Sequence, residues 1–379
     1  MIQKVPKEEQ SILENLLSIR VRLSAVKQDR STYLKLEDIT PLRLETQDQM
    51  KALSILRGGS LFDESRSLNR TDDVLDEILQ IMSLCFLSLG KIKESPSVYS
   101  QVVTIKNIFD RLNEVGVYGQ EFLQPYKAKL NEIEKILNKD REYKVVPEHV
   151  MEVLQYKFTQ CTKIYEKLMD TLKQVDIELI PVLDRMIRIR QELGTVCCKR
   201  DYTPEDVMSL QNEIEEIDSS RVNGNFIGSN GSVLQGQEIL TDLVEKLKLW
   251  SQDILLSCNE EFSPTVESMH ERLLGIKRQL ERLQLTHKWT LRQTDLFSYQ
   301  HQLHDMVKLR YSCVEDQEKD PRLPKVVPKG QIVLDFLLHK CYRMIFVLLN
   351  ESVPVSESLT PVYNHLTSVR KCLLAVKNI

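Results

Sequence analysis

The sequence predicts an all-α protein: a tandem duplicated bundle or array of antiparallel helices, with a C-terminal closing helix and no sheet. Apolar residues recur with a period near 3.6 along almost the whole chain of 379 residues, as amphipathic helices require. Only 12 glycines and 13 prolines are present, so few positions interrupt a helix. Blocks of residues from the first half recur in order in the second half, which indicates a duplication.

Start signals and the ends of the apolar stripes set the limits of the predicted helices. Ser95 before Pro96 and Ser263 before Pro264 each place a capping hydroxyl ahead of a proline at the first helical position, where its missing N–H costs nothing. The predicted helices span residues 8–28, 37–56, 72–92, 96–115, 121–139, 147–174, 176–198, 204–219, 235–257, 264–285, 288–311, 329–350 and 357–377.

Three segments lack the helical period and are predicted to be irregular. Residues 57–71 and 220–235 lie at equivalent places in the two halves and are rich in glycine, asparagine and serine, so they predict long loops. Residues 314–329 contain Pro321 and Pro324 among charged side chains, which predicts a surface linker.

Matched residues in separate parts of the chain carry the duplication. Ile19, Arg20, Leu23, Val26 and Arg30 recur 170 residues later as Ile189, Arg190, Leu193, Val196 and Arg200. Residues 95–98 recur at 263–266, and residues 145–147 recur at 326–328. Identities spread in this way are typical of a copied block of helices rather than of one chance window.

The simplest organisation is two homologous halves, residues 1–175 and 176–350, followed by residues 351–379. The last segment repeats the first helix of a half, so it is expected to cap the apolar face that the array would expose at its end. A rival organisation, one continuous bundle in which the repeats interleave, stays open at this point.

Charge and hydropathy argue against several classes of partner. The chain carries 55 acidic and 51 basic residues without long blocks of either sign, which disfavours a nucleic-acid partner. The first ten residues lack the apolar core of a secretory signal, and the longest apolar run is far shorter than the roughly 20 residues that cross a bilayer. We therefore expect no membrane partner and a cytosolic or nuclear protein.

One stretch resembles a family signature. Residues 220–226 read Ser-Arg-Val-Asn-Gly-Asn-Phe, and residues 231–240 read Gly-Ser-Val-Leu-Gln-Gly-Gln-Glu-Ile-Leu. This pattern resembles the fungal uncharacterised protein family zero-six-six-two, whose members carry a domain of unknown function. The resemblance is concentrated in residues 180–260 and implies an all-helical protein of cytoplasm and nucleus, with no catalytic residue to carry over. The corresponding loop of the first half departs from the pattern at residues 57–62.

Arginines at equivalent positions are the first candidates for binding a partner. Arg20, Arg190 and Arg370 recur at the same place in three related helices. A guanidinium there could hold a carboxylate or phosphate of a partner, or its stem could cover apolar surface while it pairs with an acidic residue of the protein. Arg221 and Phe226 of the signature loop are further candidates for contacts with a partner.

The loop at residues 57–71 contains candidate phosphorylation sites. Ser60 follows Arg57 by three residues, and Ser67 and Thr71 lie in the same loop. This spacing fits a basophilic kinase, and an added phosphate could reorganise the segment.

The sequence predicts no metal and no cofactor. His301, His304 and Asp305 lie within one helical turn, but a second set of ligands is missing, so a solvated helix face is favoured. Cys197 and Cys198 could have a redox or metal role, or could be one buried thiol and one thiol at the rim.

These observations favour a non-enzymatic scaffold or adaptor that binds a protein partner through a groove or through the glycine-rich loops. Two alternatives remain: an enzyme whose site is assembled from distant helices, and a binding module regulated by phosphorylation. The sequence predicts no oligomeric state.

Overall fold

The computed structural model describes residues 5–28, 34–61, 68–91, 93–116, 118–197, 203–228, 231–259, 264–286, 296–318 and 330–351, with residues 362, 365–366, 369–370, 372–373 and 376. Within these residues the helices are α1 (Gln10–Gln28), α2 (Leu36–Leu56), α3 (Arg70–Ser88), α4 (Ser95–Val115), α5 (Gln120–Glu142), α6 (Glu148–Lys173), α7 (Ile180–Cys197), α8 (Pro204–Ser219), α9 (Gln237–Asn259), α10 (Pro264–Thr286), α11 (Leu296–Glu318) and α12 (Gln331–Glu351).

The all-α prediction is confirmed for this part of the chain. It contains no β-strand, and its β-type pairings are isolated bridges, such as Val222 with Asn225 and Ile227 with Val233. None of the helices in the described ranges is long and apolar enough to cross a membrane.

Local sequence explains where the helices begin. Thr203 caps α8, and its backbone N–H donates to the Asp206 carboxylate at 3.1 Å, which satisfies groups that a helix start leaves without partners. Asn69 caps α3 in the same way, because its side chain accepts a hydrogen bond from the backbone N–H of Thr71 at 2.7 Å.

Helix α11 extends into the segment that was predicted to be irregular from residue 314. Helix α11 continues to Glu318, because Pro321 restricts mainly the residue before it and leaves Val314–Glu318 free to stay helical. The first residues of the helix predicted at 288–311 lie outside the described residues.

Helix α12 joins the two halves. It packs against α4 from the first half and against α7, α9, α10 and α11 from the second, while α11 also packs against α3. The buried apolar residues form one cluster that includes all of these helices. The halves are therefore in direct contact along a shared core.

Several helix pairings of the first half recur between the matching helices of the second. α1 contacts α2 and α3 as α7 contacts α8 and α9, and α4, α5 and α6 contact one another as α10, α11 and α12 do. A duplication predicts this pattern, and the duplication itself stays a prediction.

The described positions of the C-terminal segment are helical, but their side chains are exposed. The apolar stripe is 55% to 69% exposed at Val362, Leu366, Val369, Leu373 and Val376. These side chains are therefore largely open to solvent, and the capping role predicted for residues 351–379 stays a prediction.

Candidate anion-binding site

A cavity of about 440 Å³ lies where α4, α5, α7, α10 and α12 meet, at the junction of the two halves. Its apolar lining consists of Leu112, Tyr118, Phe122, Ile187 and Phe336. Its polar lining consists of Arg190, Gln191, Thr195, Lys277, Glu281, His339, Lys340 and Arg343, and Gly194 completes it. Its volume falls within the range of small-molecule sites.

Helical spacing brings the lining residues together. On α12, His339 and Lys340 follow Phe336 by three and four residues, and Arg343 follows Phe336 by seven, so the four share one face of the helix. That face points into the cavity. On α7, Ile187, Arg190 and Gly194 are likewise spaced by three and four residues, and they also line the cavity.

The charges of the lining are unbalanced. Of the described residues that line the cavity, four are cationic (Arg190, Lys277, Lys340 and Arg343) and one is a carboxylate, Glu281. The Glu281 carboxylate already lies 3.2 Å from the ammonium of Lys277 on the next turn of α10. The remaining charge of the cavity is therefore positive, which favours a negatively charged ligand.

Arg190 is the buried cation of this cavity. It is 8% exposed, and its guanidinium lies 5.2 Å from the ring centre of Phe336 and 6.0 Å from that of Trp250. Its Nε is buried without a hydrogen-bond partner in the described part of the chain. Burial lowers the pKa of Arg190 to about 10, so the side chain stays protonated at neutral pH.

Gly194 allows this arrangement. A Cβ at residue 194 would lie 2.8 Å from Cδ1 of Phe336, closer than side chains tolerate. Because α7 has only a hydrogen there, the Phe336 ring can lie close to the helix, with the guanidinium of Arg190 over its face.

His339 contributes a neutral imidazole. Burial, together with the positive charges of Arg190 and Arg343, lowers the pKa of His339 to about 3. The ring also lies 5.7 Å from that of Phe122. At neutral pH this residue can donate or accept a hydrogen bond but adds no charge.

Asp335 lies behind the cavity and opposes part of its charge. Burial raises the pKa of Asp335 to about 6, although Arg310 and Arg111 act in the opposite direction. Its carboxylate lies 2.6 Å from Nη2 of Arg310, so its closest partner is on α11 and not Arg190.

The three arginines at equivalent positions lie in different surroundings. Nη1 of Arg20 lies 2.5 Å from the Glu77 carboxylate, so Arg20 makes an ion pair within the protein. Arg370 is exposed in the C-terminal segment. Among the three, only Arg190 lines a described cavity.

The signature loop is held together by its own residues. The backbone N–H of Phe226 donates to Oε1 of Gln237 at 2.8 Å, and Nε2 of Gln237 donates back to the Phe226 carbonyl at 2.7 Å. The Phe226 side chain is buried and Arg221 pairs with Asp218. Both side chains therefore make contacts within the protein, and their predicted contact with a partner stays a prediction.

A glycine in this loop offers a sharp test. Gly236 has φ +92°, and a Cβ there would lie 2.9 Å from Cα of Val175, so Gly236→Ala should lower the free energy of unfolding by about 2–4 kcal/mol. Gly224→Ala is the matched control: its φ is +81°, but nothing lies within 4 Å of an added Cβ. Urea unfolding of both variants checks this, and equal losses would contradict the contact with Val175.

Two of the three predicted phosphorylation sites, Ser60 and Thr71, make contacts within the described part of the structure. The guanidinium of Arg57 is buried against Glu9 and Asp72, so it is not available to a kinase in the folded protein. Thr71 is fully buried. The Ser60 hydroxyl donates to Glu152 at 2.6 Å. Ser67 lies outside the described residues.

The described residues contain no group of three or more His, Cys, Asp or Glu that could hold a metal ion. His301 lies 3.5 Å from Asp305 on an exposed helix face. Cys198 lies outside the described residues, whereas Cys85, Cys161 and Cys341 are buried free thiols.

Comparison with known proteins identifies the family. The chain is 30% identical to the "Cu(2+) suppressing and bleomycin sensitive protein 1" of Saccharomyces cerevisiae, in a match that covers 100% of this chain and 80% of that protein. It is 31% identical to a CUB1 family protein of Schizosaccharomyces pombe, with 99% and 81% covered. The chain belongs to the CUB1 family.

The predicted resemblance to an uncharacterised fungal family is confirmed, because both relatives are fungal. The number of that family stays a prediction. Residues 172–293 of this CUB1 family chain match the family described as a protein of unknown function, DUF2408. No solved structure matches the chain. Arg190 and Lys277 lie within the matched residues, while the α12 side of the cavity lies beyond them.

Proposed function

We propose that this CUB1 family protein is a non-enzymatic helical scaffold whose central cavity binds an anionic group. The observation that carries the proposal is Arg190, a protonated, nearly buried guanidinium that makes no ion pair within the described chain and lines a cavity with excess positive charge. A buried charge without a partner is costly, and a bound carboxylate or phosphate would supply the partner.

The lining favours binding over acid–base chemistry. A general base needs a pKa close to the working pH, and His339, with a pKa of about 3, is too weak a base. Glu281 is occupied by Lys277, and the Thr195 hydroxyl donates to the Gln191 carbonyl at 2.9 Å. An enzyme remains the alternative, and release of phosphate from a bound phosphate ester would support it.

The positive charge also disfavours a metal ion in this cavity. A lining with excess cations repels a divalent cation. The reference to copper in the name of the S. cerevisiae relative therefore finds no support at this site.

The protein partner predicted from the helical architecture remains part of the proposal. Val222, Ile227 and Val233 of the signature loop are 57%, 37% and 59% exposed, and they are the apolar side chains that this loop offers to another protein. A partner that co-purifies with the intact chain should be lost from the double variant Val222→Ser, Val233→Ser; unchanged recovery would remove this surface from the proposal.

Sulfate binding tests the cavity directly. Calorimetric titration at constant ionic strength should show saturable binding of one sulfate or more, and Lys340→Gln should weaken it about threefold or more by removing one of four lining cations. Lys173→Gln removes the same charge from an exposed position outside the cavity and should bind as the wild type does. Heat indistinguishable from that of chloride would refute the proposal.

Sulfate affinity should also rise as the pH falls from 7.5 to 5.5. Asp335, with a pKa of about 6, becomes largely protonated over this interval and so loses most of the negative charge that opposes the cations of the cavity. The positive field in the cavity therefore grows, and the affinity for sulfate should rise about threefold or more. Sulfate itself does not titrate in this range. Asp335→Asn should bind equally at both pH values, and a pH effect that survives in this variant would show that Asp335 is not its source.

A further inference from the structure

We propose that the ligand of the cavity is an organic molecule with two or more phosphate groups, held by a row of cations from buried Arg190 to exposed Lys340 and Arg343. This inference rests on the proposed anion-binding function. It adds the chemical class of the ligand, which neither the family nor its named relatives specify.

The cations are spread along the cavity rather than gathered at one point. Arg190 lies over Phe336, while Lys340 and Arg343 follow one and two helical turns later on the same face of α12. Seven residues of α-helix correspond to roughly 10 Å. A charged nitrogen bonds a phosphate oxygen at roughly 2.8 Å, so cations spread over this length of helix are better matched by several anionic groups than by one. Separate anionic groups on one molecule provide that match.

Two of the cations are fixed in place by aromatic rings. The Arg190 guanidinium lies 5.2 Å from the ring centre of Phe336, and that of Arg343 lies 5.2 Å from the ring centre of Phe122. A planar guanidinium held on a ring face keeps its edge N–H groups free for paired hydrogen bonds to phosphate oxygens. Both ends of the row are thus arranged for phosphate before a ligand arrives.

The cavity also has room and surface for an organic frame. Its volume of about 440 Å³ exceeds by far the roughly 30 Å³ of a water molecule, so a lone inorganic anion would leave most of it to solvent. Tyr118, Phe122 and Phe336 give apolar walls between the cations. A ring that carries phosphates would use both features.

A phosphorylated protein segment fits these observations less well. A single phosphorylated side chain brings one phosphate to a cavity that four cations line, so it matches this lining less well than a molecule with several phosphates. Glutamate and aspartate side chains carry one charge each, which matches the row of cations poorly.

Calorimetry at constant ionic strength tests the inference with five probes: orthophosphate, pyrophosphate, ADP, inositol hexakisphosphate and a singly phosphorylated peptide. We expect one of the organic polyphosphates to bind at least about tenfold more tightly than orthophosphate, because linked groups bind with a high effective concentration. ADP and inositol hexakisphosphate distinguish a nucleotide from a phosphorylated polyol.

Variants at the two ends separate the outcomes. Arg343→Gln should reduce polyphosphate affinity to about that of orthophosphate, Arg190→Met should abolish the binding of every probe, and Lys173→Gln should leave the affinities unchanged. Arg343 is exposed, so its variant tests the row without risk to the core. If orthophosphate binds as tightly as every polyphosphate, this inference fails and the proposed function stands. If the peptide binds most tightly, the inference also fails, and a phosphoprotein takes its place. If no probe binds, both fail.

Discussion

Arg190→Met is expected to abolish the binding of sulfate and pyrophosphate and, at the same time, to raise the free energy of unfolding of the ligand-free protein by about 1–3 kcal/mol. Methionine keeps an unbranched apolar stem over Phe336 and Trp250, so the packing of this position is largely retained. What is removed is a buried positive charge whose Nε has no hydrogen-bond partner in the described chain. Urea unfolding in a buffer free of multivalent anions measures the change.

The matched control is Arg343→Met. This side chain also lines the cavity, but it is exposed, so its loss should weaken binding without stabilising the protein. An Arg190→Met variant that unfolds more easily and still binds sulfate would show that Arg190 is a structural residue. Gain of stability with loss of ligand is the behaviour expected of a residue kept for binding.

Arg57→Met should cost about 3–5 kcal/mol of unfolding free energy, the largest loss that we expect from a single substitution. The Arg57 guanidinium lies 2.8 Å from Glu9 and 2.6 Å from Asp72, and it also donates to the Leu61 carbonyl at 3.1 Å. Both carboxylates are buried. Without Arg57, the two buried carboxylates would be like charges that water can hardly solvate. The loss of unfolding free energy is therefore large. Urea unfolding at pH 7 checks the value.

Arg22→Met provides the comparison, because Arg22 and Glu45 form an ion pair in which both side chains are nearly half exposed, at 48% and 43%. Its loss should cost less than about 1 kcal/mol. Equal losses in the two variants would contradict the structural role of the Arg57 network.

The effect of Arg57 should also depend on pH. Burial acts to raise the pKa of Glu9, but hydrogen bonds from Arg57 and Asn69 outweigh it and lower this pKa below its usual value. The stability that this carboxylate contributes is therefore present at neutral pH and is lost as the pH falls through the lowered pKa. The difference between wild type and Arg57→Met should shrink in acid, and a constant difference would argue against ionised Glu9 as its source.

The helices could be predicted from the sequence because their signals are local. An apolar stripe, a capping hydroxyl and a proline in the first turn act within a few residues of one another, as at Thr203 and Pro204 before α8. The end of α11 was misplaced since proline constrains its neighbour and not the residues several positions earlier. The position of the C-terminal segment depends on its tertiary contacts. The similarity of its sequence to the first helix of a half does not specify those contacts.

The site could be predicted only in part. Arg190 was a candidate because it recurs at the position of Arg20, but the same reasoning selected Arg20 itself, which pairs with Glu77. The difference lies in which helices surround each arginine. Phe336, His339, Lys340 and Arg343 were missed, although aromatic and basic residues at three- and four-residue intervals in an otherwise apolar helix are a readable signal.

The fluorescence of Trp250 tests the central claim most directly, since this ring lies 6.0 Å from the guanidinium of Arg190. The chain has two tryptophans, so Trp289→Phe leaves Trp250 as the only one. Titration of this variant with pyrophosphate should change the emission saturably, and adding Arg190→Met should remove the change. An emission that stays constant up to millimolar pyrophosphate, or one that changes equally in both proteins, would contradict an anion bound at Arg190.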